Sequence, residues 1–188
     1  MDMDTPTEGS NKRLNQLVAI TVVALSVFLG LSNVKDGNLV QSMDQAKANA
    51  VDTWNEYQAS RIKLKVDQVA LEELVLTAPA IKDQGAVAAR RAALTAEIAK
   101  YQGEGPALQA KAKGFDETYD ALNFHDDQFD AADALISIAI SAAAVSALTE
   151  SGWVLAISWG FGALGVLMGV AGFAGWRIHP DFLATFLS

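Results

Sequence analysis

The densest concentration of reactive side chains in this sequence is Asn123-Phe124-His125-Asp126-Asp127-Gln128-Phe129-Asp130, followed three residues later by Asp133. Carboxylates gathered this closely can attract cations or supply oxygen ligands to a divalent ion. Held near one another, they can also keep a proton to higher pH than usual. Three readings follow: a solvated helix face, a cation-attracting mouth, and a divalent-ion or pH-sensing site. Asp133, Ser137 and Ser141 recur every four residues, which places them along one face of a helix. Asp130 and Asp126 extend that face. An oligomer that brought several such stripes around an axis would form a carboxylate ring of the kind found in cation channels. The plainer reading is that Ser137 and Ser141 bond their own helix or a neighbouring one.

Other chemistries find little support. His125 and His179 are far apart in sequence, and neither completes a ligand set at helical spacing, so no metal site is expected. No Walker-type phosphate loop is present, and no serine sits in a recognisable triad. The chain has no cysteine, which removes thiolate catalysis, disulfides and cysteine metal sites. A net charge of −8 argues against nucleic acid, whose phosphates require clustered Lys and Arg. We expect a non-enzymatic protein without a cofactor.

The elements that must carry the acidic stretch are set by an uneven apolar distribution. The 188 residues are about half apolar, concentrated at both ends, with a polar middle. Residues 1–13 read as a disordered N-terminal tail. The uncharged run from Leu14 to Val34, between Arg13 and Lys35, spans roughly 30 Å as a helix, the thickness of a bilayer core. A cleaved signal peptide is the competing reading, but FLGLSNVKDG offers no small-x-small cleavage site. A second apolar segment occupies residues 131–149. The third, Trp153 to Trp176, is free of charge and has tryptophans at both ends, as interfacial belts do. The turn Thr149-Glu150-Ser151-Gly152 joins them as a hairpin. In the third segment Gly165 and Gly169, and likewise Ala171 and Gly175, stand at i, i+4 spacing, which suits close helix packing. That packing is either internal or between subunits. Residues 177–188 form a C-terminal tail.

Residues 35–130 read as a helical coiled-coil region. Met43, Ala50, Tyr57, Leu64 and Leu71 recur every seven residues, and Val40, Trp54 and Val75 mark a second heptad position interrupted by Lys47, Arg61 and Gln68. Thr77-Ala78-Pro79 ends the first helix, because a residue before proline avoids the α region. A second helix is expected from about Pro79. Its series Val87, Leu94, Tyr101, Leu108, Phe115, Leu122, Phe129 and Ile136 crosses Gly103-Glu104-Gly105-Pro106 without a slip. Proline there predicts a kink or a break, and the unbroken register favours neither decisively. One helix should run from about Ala107 to about Leu148. No alternating strand pattern appears. The expected fold is all-α: a membrane protein with three transmembrane helices and a long helical coiled-coil hairpin between the first and second.

The stretches NVKDGNLVQSMDQAKANAVDTWNEYQA, YDALNFHDDQFDAADALISIAI and GVLMGVAGFAGWRIHPDFLATFLS resemble domain-of-unknown-function family 4337, from about Asn11 to Ser188. The resemblance implies a bacterial source and a membrane location, and it carries no catalytic residues. The expected partners are the lipid bilayer and either further copies of the chain or a larger membrane complex. The expected location is the bacterial inner membrane. Lys12 and Arg13 beside the first span place the N-terminus in the cytoplasm. The leading expectation is a self-associating scaffold or accessory subunit, and the alternative is a small oligomeric cation channel or transporter subunit.

Overall fold

The computed structural model describes residues 7–178, with side chains from Lys12 onward. The first six residues of the expected tail, and the expected C-terminal tail beyond Ile178 with His179, lie outside the described residues. All described elements are helical: α1 (Thr7–Thr77), a 3-10 turn (Ala78–Ala80), α2 (Gln84–Thr149) and α3 (Gly152–Ala174). Thr7 to Arg13, expected in a tail, belong to α1. The chain divides into two compact units. Met43–Asp120 forms a hairpin unit, and the segments before and after it form a three-helix unit.

In the hairpin unit α1 and α2 run antiparallel: Trp54 Nε1 donates to Asp116 Oδ2 at 3.0 Å, and Lys47 Nζ lies 5.2 Å from the Tyr119 ring centre. α1 ends where the sequence demands, with Pro79 in the following turn. α2 begins at Gln84 rather than at Pro79, because Asp83 caps it. Its carboxylate accepts from the Ala86 N–H at 3.0 Å, satisfying one donor the first turn leaves open. α2 then continues through Pro106 as one helix. Proline removes the N–H that would bond the carbonyl of Gln102, yet the seven-residue series holds its register across that gap.

The second heptad position of α1 differs from the expectation by one residue. The buried residues are Leu39, Ala46, Thr53 and Ser60, alternating with Met43, Ala50 and Leu64. Val40 is 41% exposed and Val75 47% exposed. Lys47 and Arg61 are exposed at the edge of the seam. Small side chains occupy the inner position because two closely spaced helices leave no room for larger ones, and apolar size misleads a reading based on hydrophobicity alone.

In the three-helix unit α3 lies antiparallel to α2 and parallel to α1. One buried cluster joins Leu25 of α1 to Ala132, Ile136 and Ala139 of α2, with Phe28 and Phe161 packed against it. A second joins Val18, Ala143 and Leu155. The α2–α3 connection is tight. Glu150 takes a positive φ of 52°, a conformation non-glycine residues adopt at a cost of order 1 kcal/mol. Ser146 holds the turn: its carbonyl accepts the Ser151 N–H at 3.1 Å, and its hydroxyl donates to the Ser151 carbonyl at 2.9 Å. All three helices are long and apolar enough to cross a membrane, by length and composition.

Candidate functional site

The acidic stretch lies on α2 within the three-helix unit, and its central carboxylate faces α1. Asp126 is half-buried and in side-chain hydrogen-bond contact with Asp36, a residue of α1 that sequence reading left aside. Oδ1 of each carboxylate is shut off from solvent and has no conventional donor. Two ionised carboxylates in that contact would repel. A proton on Asp126, donated to Asp36, turns the contact into an O–H···O bond.

The surrounding charges act in the same direction. Burial raises the Asp126 pKa, and the charges of Asp36, Asp130 and Asp127 add to it, carrying it from the ordinary 3.8 to about 6. Asp36 is raised chiefly by burial and further by Asp133, while the bond from Asp126 pulls it the other way. Asp130 is raised by burial and then by Asp36, Asp127 and Asp133. Lys35 and Arg177, the cations nearest in sequence to the packed segments, are exposed and form no ion pair with Asp126 among the described residues. Asp36 and Asp126, in direct contact, therefore share a proton as one pair. Among the described residues, no three of these carboxylates are placed to share a metal ion.

The stripe expected from the sequence divides. Asp130, Asp133, Ser137 and Ser141 are exposed along the outer side of α2, whereas Asp126 turns inward toward Asp36. Ser141 Oγ donates to the Ser137 carbonyl at 2.8 Å, within its own helix. The inner side of α2 carries the residue with the clearest architectural task. Gln128 is fully buried, and its Nε2 donates to the carbonyls of Trp176 and Ile178 at 2.8 and 2.6 Å. Those carbonyls follow the left-handed cap of α3 at Gly175 and would otherwise lack partners. Gln128 Oε1 is left to accept, so His125 Nδ1 donates to it at 3.0 Å, which fixes the tautomer. Gln128→Leu should leave these groups unpaired and destabilise the end of α3 by about 2–3 kcal/mol. Faster amide exchange from Trp176 to Ile178, with the α2–α3 turn unchanged, would show it.

The small residues of α3 divide as well. Gly165 and Gly169 are buried, as is Ala171. A Cβ on Gly165 would lie 2.6 Å from Ile136 Cγ1 and 3.1 Å from the Ile136 backbone nitrogen, and one on Gly169 would lie 2.6 Å from the Phe28 ring. Gly175 does not pack in this way. Nothing lies within 4 Å of its would-be Cβ, and its φ of 67° makes it the cap of α3. Gly162 and Gly172, which the i, i+4 count passed over, approach Leu25 and Phe129 instead. Ser32 faces Gly169, with its hydroxyl buried and without a hydrogen-bond partner.

The signal for Asp36 lay in the turn. An antiparallel hairpin centred near Ile81 pairs residues whose numbers sum to a constant: Tyr57 meets Gly105, and the same sum brings Asp36 opposite Asp126.

A family model described as a domain of unknown function, DUF4337, matches residues 14–175. No curated protein and no solved structure matches the chain. The chain belongs to the DUF4337 family.

Proposed function

We propose that the chain is a non-enzymatic, self-associating integral membrane protein of a bacterial inner membrane, serving as a scaffold or as an accessory subunit of a membrane complex. The observation that carries this reading is the outer face of α2. Asp133, Ser137 and Ser141 are exposed there, on a stretch of α2, residues 131–149, that is otherwise largely apolar. An ionisable residue at the edge of a bilayer, continued inward by hydroxyls, is unfavourable against lipid and is normally covered by protein or water. A second copy supplies that cover. The lipid-facing role falls to the outward apolar residues of α1, among them Ile20, Val23, Val27 and Leu31. Lys12 and Arg13 before the first span orient the N-terminus toward the cytoplasm, which places the hairpin unit on the other side. There the antiparallel 3–4 seam acts as a coiled coil that docks partners.

The chain lacks cysteine, so single cysteines report without background. Ser137→Cys and Ser141→Cys should form disulfide-linked dimers in native membranes, and Val23→Cys should not. A protein that stays monomeric in mild detergent, with no cross-link at either serine, would sink the proposal. The second reading, a cation-conducting oligomer, rests on the same face, because Asp130 and Asp133 would then line a shared axis. It requires Asp133→Asn to alter cation flux in liposomes while the cross-links persist.

A further inference from the structure

The hairpin unit contains a cavity of about 410 Å³ between α1 and α2, within the range of small-ligand sites. Its origin is local. The α2 seam at this level carries Gly105, buried and without a side chain, followed by Pro106. Opposite, the nearest side-chain atom to a would-be Gly105 Cβ is Tyr57 Cε2 at 3.9 Å. Where another layer of the seam is filled by Leu94, this layer leaves a gap beside Leu64.

The lining chemistry is selective. α1 contributes Arg61, Lys65 and Gln68, which share one helical face at i, i+4 and i+7. α2 contributes Tyr101, Gln102 and Gln109. No carboxylate lines the cavity, although the chain carries a net charge of −8. Arg61 and Lys65 have no ion-pair partner among the described residues. Like charges at i, i+4 repel by a few tenths of a kcal/mol, a cost that a bound anion removes. The guanidinium presents a planar fork suited to carboxylate or phosphate oxygens, and the ammonium a point charge beside it. Three amides and the phenol of Tyr101 offer donors and acceptors to whatever carries the anion. Apolar wall is confined to Leu64, Pro106 and the ring faces, too little to hold an acyl chain. The adjoining cavity on the other side of Tyr101 is lined by Glu56 and Glu104 with Lys63, and lacks this bias.

We propose that the cavity between Arg61, Lys65 and Gln68 of α1 and Tyr101, Gln102 and Gln109 of α2 binds a small soluble organic phosphate whose body carries hydroxyl groups, such as a sugar phosphate. The cations hold the phosphate, and the amides and phenol bond the body. This site is separate from the acidic cluster and does not depend on self-association.

Titration calorimetry on the full chain in detergent micelles tests it, with glucose 6-phosphate, glucose, inorganic phosphate and dihexanoyl phosphatidate as probes. Glucose 6-phosphate should bind saturably and at least about tenfold more tightly than inorganic phosphate, a margin of about 1.4 kcal/mol. Glucose should not bind. The exposed pair Arg61→Gln with Lys65→Gln should weaken binding by about tenfold or more without loss of helix content. Gly105→Leu should fill the gap and abolish binding with both charges in place. If Gly105→Leu loses helix content, the charge pair decides alone. Absence of saturable binding at millimolar concentration overturns the proposal. So does binding unaffected by the charge variants, and so does a preference for the phosphatidate, which would make the site a lipid-headgroup site.

Discussion

Gly165→Leu should unfold the three-helix unit, and Gly165→Ala should already weaken it. A single methyl at Gly165 collides with both the Ile136 side chain at 2.6 Å and the Ile136 backbone nitrogen at 3.1 Å. Ile136 is fully buried and belongs to the central cluster, so neither atom can swing aside. Overpacking of this kind costs about 1–3 kcal/mol for one methyl group and more for a larger side chain. Alanine regains up to about 1 kcal/mol through its better helix propensity, which reduces the net effect without reversing it. Leucine adds three further carbons to a site with no space for the first. Against total stabilities of about 5–15 kcal/mol, that loss is large. Gly160→Leu is the matched control, because nothing lies within 4 Å of its would-be Cβ. Thermal denaturation in detergent should show Gly160→Leu unchanged and Gly165→Leu lacking a cooperative transition. Equal behaviour of the two would mean that α3 does not pack against Ile136. Gly169→Ala should be milder than Gly165→Ala, since the atoms it meets are the far end of the Phe28 ring.

Asp126 should make the same unit more stable in mild acid than at neutral pH. Its folded pKa, about 6, stands above the unfolded value of 3.8. The folded state therefore holds the proton more tightly. Its stabilising effect is complete below about pH 4 and is lost as pH rises through about 6. A shift of this size corresponds at most to about 3 kcal/mol, and solvent screening of a half-buried group reduces it to about 1 kcal/mol. Asp36 and Asp130 are shifted in the same direction, so they steepen the loss. Asp126→Asn keeps a donor for Asp36 at every pH. It should flatten the profile between about pH 4 and pH 7 and raise stability above pH 6 by about 1 kcal/mol. Asp52→Asn, in the hairpin unit, should leave the profile as it is. A wild-type unit that gains stability as pH rises from 4 to 7 would contradict the shared proton.

Much of this architecture was legible because α2 announces itself. Leu94, Phe129 and Ile136 are large, apolar, spaced by multiples of seven and buried, so periodicity alone finds the packed face. The α1 seam was legible only on its Met43, Ala50 and Leu64 side. Its other side is Ala46, Thr53 and Ser60, and small polar residues carry no hydrophobic signal even when close packing selects them. The same blindness hid Gly105 and Ala112 on α2. The acidic stretch on α2 was visible, but its chemistry depends on Asp36, and no local pattern links residues ninety positions apart. Gln128 was equally hidden, since its partners are main-chain carbonyls, which have no sequence identity. Gly175 caps α3 although its spacing from Ala171 suits packing, because spacing cannot tell a glycine chosen for small size from one chosen for positive φ.

The short turn at Glu150 also sets an order of events during folding. The α2–α3 contacts are local in sequence: Ser158 bonds the Ala139 carbonyl across 19 positions. The α1–α3 contacts are not, since Trp159 bonds Thr21 across 138. Closing the longer loop costs about 2 kcal/mol more chain entropy than closing the shorter one. The α2–α3 pair is therefore expected to form first, and α1 to dock onto it afterwards where Gly162 and Gly169 of α3 admit Leu25 and Phe28. Substitutions at the Ser146–Ser151 turn should slow folding, whereas substitutions where α1 meets α3, such as Thr21, should mainly speed unfolding.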